Sequence, residues 1–85
     1  LASKVFYKAS VESDLRRLDK PIARKILTQI ESKLGQDPSI GISLTGDFAG
    51  LFKYRVGDYR VIYAKTRESI LILRISHRKD VYRQR

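Results

Sequence analysis

The hydrophobic period of this chain changes from four to two at Leu51, and that switch restricts it to a fold that pairs helices with a sheet. Ile22, Ile26, Ile30 and Leu34 recur every four residues with Leu27 beside them, while Lys25, Gln29 and Lys33 fill the outer side. This spacing lines one face of an α-helix, and Gly35 stands where a helix C′ residue is expected. Upstream, Val11, Leu15 and Leu18 form a second apolar helical face, with Arg16 and Arg17 turned away from it. Ser10 is the expected N-cap, and Ser13 stands at the third helical position, where a capping box has Glu. Glu12 and Asp14 suit the positive end of that helix. Asp19-Lys20-Pro21 breaks the chain and restarts it, Pro being tolerated in a first turn. Two helices joined so briefly form an antiparallel hairpin.

Lys4-Val5-Phe6-Tyr7 is short and β-prone, and predicts a first strand. From Leu51 the alternation predicts three more: Leu51–Val56, Tyr59–Lys65 and Ser69–Ser76. Gly57-Asp58 fits the two-residue loop of a type II′ hairpin, and Thr66-Arg67 is expected to turn the next one. Gln36 to Gly50 is read as a loop anchored by Ile40, Ile42 and Leu44, and His77 to Arg85 as a polar, basic tail with at most one helical turn. The expected fold is a single α+β domain over residues 1–85 of order β-α-α-β-β-β, its N-terminal strand and helical hairpin packed on an antiparallel sheet.

Composition narrows the function. There is no cysteine and one histidine, so neither a disulfide nor a thiolate or His-rich metal site is expected, and no cofactor is implied. No apolar run approaches the roughly 20 residues of a membrane span, and no signal peptide is recognisable, so a cytoplasmic protein is expected. Leu1-Ala2-Ser3 lacks an initiator Met and reads as a trimmed end. The net charge is +9. Residues 1–50 hold eight Lys/Arg against six Asp/Glu, whereas residues 51–85 hold ten against three. A field concentrated in this way favours a polyanion: nucleic acid, a ribosome or an acidic protein.

Strand alternation sharpens the placement. If Gly57-Asp58 is the loop, Val56 pairs with Tyr59 and Arg55 with Arg60. One face then carries Lys53, Arg55 and Arg60 with Leu51, Ile62 and Ala64; the other carries Phe52, Tyr54, Val56, Tyr59, Val61 and Tyr63, and seats the helices. Directly opposed arginines repel. An anion bound between them relieves the repulsion; splaying of the long side chains into water is the plainer alternative. Continued through a Thr66-Arg67 turn, the register pairs Arg60 with Leu73 and puts His77 on the basic face.

The block Leu51-Phe52-Lys53-Tyr54-Arg55-Val56-Gly57-Asp58-Tyr59-Arg60-Val61-Ile62-Tyr63 and the ending Ile75-Ser76-His77-Arg78-Lys79-Asp80-Val81-Tyr82, together with the two-helix N-terminal half, resemble the RelE branch of the RelE/ParE toxin superfamily. The resemblance covers nearly the whole chain. The first block is common to the superfamily, while the His-Arg-Lys-Asp-Val-Tyr ending is more typical of its RNA-cleaving branch. It implies an mRNA interferase of a type II toxin–antitoxin system, which cleaves mRNA in the ribosomal A site and is neutralised by a RelB-like antitoxin. It further implies that Lys53 and Arg55 hold and polarise the scissile phosphate and that Arg60 stabilises the charged transition state. Arg78 corresponds to the family's general acid and Tyr82 to its terminal tyrosine. The segment before Tyr82 is shorter than in the family and contains His77, which is the other candidate acid. Lys53, Arg55, Arg60, Arg74, Lys79 and Arg83 are the residues expected to hold RNA.

The chemistry is consistent with these roles. Metal-free RNA cleavage needs a base for the 2′-OH proton, an acid for the 5′-oxygen and positive charge on the phosphorane. A tyrosine becomes a better base when cations such as Lys53, Arg55 and Arg78 lower its pKa, and histidine titrates near neutrality without tuning. The sequence holds no carboxylate cluster of the kind a Mg²⁺-dependent nuclease uses. Two other readings stand beside this one: a ParE-type toxin that inhibits DNA gyrase, and a non-catalytic member of the family.

Overall fold

A computed structural model describes residues 3–79. β1 (Lys4–Tyr7) leads into α1 (Ala9–Arg16) and α2 (Lys20–Gln29), which runs on through a π-helical turn, Ile30–Leu34. β2 (Ile42–Ser43) follows, and then the long meander β3 (Phe52–Val56), β4 (Tyr59–Lys65) and β5 (Ser69–His77). The five strands form one sheet in the order β1-β5-β4-β3-β2. The α+β class, the helical hairpin and the antiparallel meander therefore match expectation. No helix among the described residues is long and apolar enough to cross a membrane.

The core lies between the helices and one sheet face. Ile26, Ile30 and Leu34 are buried against Val61, Tyr63, Ile70, Ile72 and Ile75, with Val11 closing the α1 side. Ile22, expected to be buried, is only partly covered at the start of the stripe. Tyrosines tie the layers together at their polar tips. Tyr54 donates to Gln29 Oε1 at 3.1 Å, and Tyr7 donates to Glu31 Oε2 at 2.6 Å. The fully buried Tyr63 donates to the Pro38 carbonyl at 2.6 Å and accepts from the Gly41 N–H at 3.1 Å. Gly41 is required there, because a Cβ would come within 2.9 Å of the Tyr63 ring.

Several local expectations are corrected. The segment read as a loop contains β2, whose Ile42 pairs with Lys53, and two 3₁₀ turns, Pro38–Ile40 and Gly46–Phe48. Ile40 and Ile42 are exposed rather than anchored; the Tyr63 hydroxyl does the anchoring instead. α1 begins at Ala9 with Lys8 as N-cap, so Ser10 sits inside the first turn. Gly35 is right-handed, at φ −62°, and its N–H reaches back to the Ile30 carbonyl at 2.8 Å. The helix thus ends by widening its last turn, which keeps both Ile30 and Leu34 fully buried, rather than through a left-handed cap. β1, expected to pack on an antiparallel sheet, joins the sheet as an edge strand parallel to β5, Tyr7 against Ile72.

Replacing Ile26 with Ala is expected to cost roughly 2–5 kcal/mol of unfolding free energy. A loss under about 0.5 kcal/mol in denaturant titration would mean that its face does not carry the core. Alkaline pH tests the Tyr7 tie. Burial, and then the hydrogen bond and charge of Glu31, push the Tyr7 hydroxyl well above its ordinary pKa. The fold holds the protonated form, so this contribution is complete below about pH 10 and is lost as pH rises from there toward the folded value. Tyr7→Phe is expected to flatten that alkaline fall in stability, and an unchanged pH profile would count against the tie.

Candidate functional site

The turn that organises the site is Gly57-Asp58. Gly57 has φ +60° and Asp58, like every other non-glycine among the described residues, does not have positive φ, as a type II′ hairpin requires. The observed pairs are Val56–Tyr59, Arg55–Arg60, Tyr54–Val61 and Lys53–Ile62. The faces predicted for β3 and β4 are therefore the faces observed. In such a hairpin the flanking pair exchanges hydrogen bonds, so Arg55–Arg60 is the closer, non-hydrogen-bonded kind.

The register across β4 and β5 differs from expectation. Lys65 pairs with Ile70, Tyr63 with Ile72 and Ile62 with Arg74, leaving Leu73 as a bulge. The longer Thr66–Ser69 turn, closed by Thr66 N–H to the Ser69 carbonyl at 2.8 Å, slips the strand by two and changes no face. The bulge adds one more residue and inverts every face beyond it. Arg60 consequently pairs with Ser76, not Leu73, and Tyr59 pairs with His77. His77 thus shares the helix-side face with Tyr59, their rings meeting edge to face at 5.1 Å. The Lys79 N–H donates to its Nδ1 at 3.2 Å, which leaves the proton of the neutral ring on Nε2.

The open face of the sheet holds two parallel rows. Lys53, Ile62 and Arg74 form one; Arg55, Arg60 and Ser76 form the next. Rows two residues apart lie about 7 Å from each other, and neighbouring strands about 4.8 Å apart. Arg55 and Arg74 are exposed, while Lys53 and Arg60 are half-buried. The turn gathers two more contacts. The Arg55 Nε donates to the Gly57 carbonyl at 2.9 Å. The Arg78 N–H donates to the Asp58 carbonyl at 2.8 Å, and its Nε lies 3.8 Å from Asp58 Oδ1. That exposed ion pair contributes little energy, but the backbone bond fixes where the chain leaves β5. Lys79 is exposed in the following turn. Tyr82 and Arg83 lie outside the described residues.

Farther from the turn the same face becomes apolar. Phe6 pairs with Leu71, and Leu71 with Ala64; Phe6 and Leu71 are both exposed. On the other side of β5, sequence reasoning missed Asp14. β1 ends at Ile72, and the Asp14 carboxylate accepts the edge N–H of Ile75 at 2.9 Å. No periodicity marks such a tie, because it joins residues 61 apart in sequence.

The family model describing the ParE toxin of type II toxin–antitoxin systems, parDE, matches residues 5–82. The chain belongs to the RelE/ParE toxin superfamily. Toxin RelG of Mycobacterium tuberculosis is 31% identical over 83 residues, covering 94% of this toxin and 95% of its relative. Among solved structures, the toxin–antitoxin complex RelBE2 from M. tuberculosis superposes with a TM-score of 0.86 at 26% identity, over 91% of this toxin and 92% of that chain. The archaeal RelE–RelB complex from Pyrococcus horikoshii superposes with a TM-score of 0.71 at 30% identity, over 92% and 97% of the two chains.

The opposed arginines of the toxin make a direct test of the face. Arg55→Thr replaces one charge by a β-prone neutral residue. Removing the charge is expected to contribute roughly 0.2–1 kcal/mol of stability at low salt, beside a salt-independent cost from the lost Arg55–Gly57 hydrogen bond. The gain should shrink as salt screens the pair, the Debye length being about 10 Å at 0.1 M. Denaturant titrations at two ionic strengths measure both, and an equal loss at each would mean that the two guanidinium groups do not repel.

Proposed function

We propose that this toxin is a metal-independent endoribonuclease of the RelE type that cleaves mRNA, on the ribosome, by attack of the 2′-OH on the adjacent phosphate. The observation that carries the reading is the direct pairing of Arg55 with Arg60 beside Lys53 on the open face. The pairing concentrates three cationic side chains on one face, the positive charge that a dianionic phosphorane calls for. In this reading Lys53 and Arg55 hold the scissile phosphate, and Arg60 meets the charge that develops on it. Arg78, docked on the same turn as Arg55, hydrogen-bonds the departing 5′-oxygen, which takes its proton from water because a guanidinium keeps its own. Tyr82 takes the 2′-OH proton in this reading, a role for which nearby cations such as Lys53, Arg55 and Arg78 would make its phenol more acidic. His77 faces the helix side, so it ranks behind Arg78 for the leaving group. Arg74, Lys79 and Arg83 extend the path for RNA.

The partner in this reading is a cognate RelB-like antitoxin, held in the cytoplasm with its toxin. A partly disordered acidic segment that folds on binding suits the open face, bringing apolar side chains for Phe6 and Leu71 and carboxylates for the basic rows. The ParE description of the matching model supports a second reading, inhibition of DNA gyrase.

Primer extension on a cellular mRNA after brief induction separates the two. The wild type is expected to leave discrete 3′ ends within coding sequence, and Arg60→Ala or Arg78→Ala to reduce them roughly 10²-fold, as loss of a transition-state donor does. Tyr82→Phe removes the base alone and should abolish cleavage without unfolding the chain. Intact mRNA together with DNA breaks in the induced cells would reject the nuclease in favour of gyrase.

A further inference from the structure

A cavity of about 220 Å³ opens between α1 and the outer edge of β5. It exists because β1 stops at Ile72 while β5 continues to His77, leaving α1 alongside the last stretch of the strand. Leu18 and Ile75 supply apolar lining, Tyr59 and His77 an aromatic wall, and Asp14 and Arg17 a carboxylate and a guanidinium. Proteins that hold an unstacked nucleobase combine these elements: apolar and aromatic surfaces for the ring, and fixed polar groups for its edge.

We infer that this cavity is a nucleobase site adjoining the rows that hold phosphate, with Arg74 and Ser76 bordering both, and that it takes the base next to the phosphate seated at Arg55 and Arg60. The second part rests on the RNA-cleaving reading above. Ser76 connects the two places, since it pairs with Arg60 and also borders the cavity. An RNA strand passes between them by rounding the outer edge of β5 at Ser76, from the open face that carries the rows to the helix side, where Tyr59, Ile75 and His77 line the cavity. Asp14 is not a loose surface acid. Its Oδ2 is fixed by the Ile75 N–H at 2.9 Å, which presents the carboxylate to the cavity in one orientation. A fixed carboxylate accepts from an exocyclic amine, and the Arg17 guanidinium donates to a ring nitrogen or carbonyl. Guanine, adenine and cytosine bring two amine protons beside an acceptor, whereas uracil brings only the single N3–H between its carbonyls.

The test is an NMR titration of the full-length chain with the four nucleoside 5′-monophosphates and with inorganic phosphate. The guanine, adenine and cytosine nucleotides are expected to shift Leu18, Tyr59, Ile75 and His77, with the uracil nucleotide weakest. Phosphate alone should shift only the residues of the basic rows. Arg17→Ala, on the exposed rim, should weaken the three amine-bearing nucleotides about tenfold, the usual worth of a charge-assisted hydrogen bond. Shifts confined to the basic rows for every nucleotide, or affinities unchanged in Arg17→Ala, overturn the inference. Cleavage is not read in this titration. A chain that binds nucleotides in the cavity yet leaves mRNA intact would reject the nuclease and keep the nucleobase site.

Discussion

Gly57 holds a backbone conformation closed to other residue types, and the register of the meander starts from it. With Gly57 and Asp58 as the whole loop, β3 and β4 have a single alignment that buries Val56, Val61 and Tyr63 together. A slip of one residue would turn Lys53, Arg55 and Arg60 into the core and the tyrosines into water. The apolar face therefore enforces the basic one. Any repulsion between Arg55 and Arg60 is small beside the energy gained by burying the opposite side of the same strands.

The parts of the fold legible in the sequence were those governed by period and by that turn. The four-residue repeat marks the helix stripe that faces the core, buried from Ile26 to Leu34 and only partly covered at Ile22, and alternation from Leu51 assigns both faces of β3 and β4 correctly. Alternation could not reveal the bulge at Leu73. Ile70, Leu71, Ile72 and Leu73 are all aliphatic, so a skipped residue leaves no polar outlier to show where the count changes. This one feature decides where His77 goes and brings Arg74 into the basic rows. β2 was hidden for a different reason: it is two residues long and exposed, and exists only because Lys53 and Phe52 offer an edge to pair with.

The candidate site divides along the same line. Lys53, Arg55 and Arg60 could be placed from local pairing alone. Asp14, the contact of Arg78 with Asp58, and the cavity beside β5 arise where elements distant in sequence meet, and no spacing rule encodes them. The two faces of the sheet also differ in kind. Tyr7, Tyr54 and Tyr63 spend their hydroxyls on helix and loop partners, so that side is fixed by a polar seam around an apolar centre. The open side keeps its cations near the turn and its apolar residues at the far end, a layout suited to meeting something else.

The parallel pairing of β1 with β5 also sets an order of events during synthesis. Lys4 meets Ser69, and Tyr7 meets Ile72, so the first strand made must wait for the last before it has a neighbour. Contacts of such long sequence separation form late and slow the folding of a small domain. Ser76 and Arg78, which complete the basic surface, lie on that same final strand or just past it. A nascent chain carrying only the helices and the first hairpin has the charges but not the assembled surface. In a toxin built in this way the full basic surface comes together only once the C-terminal strand has docked.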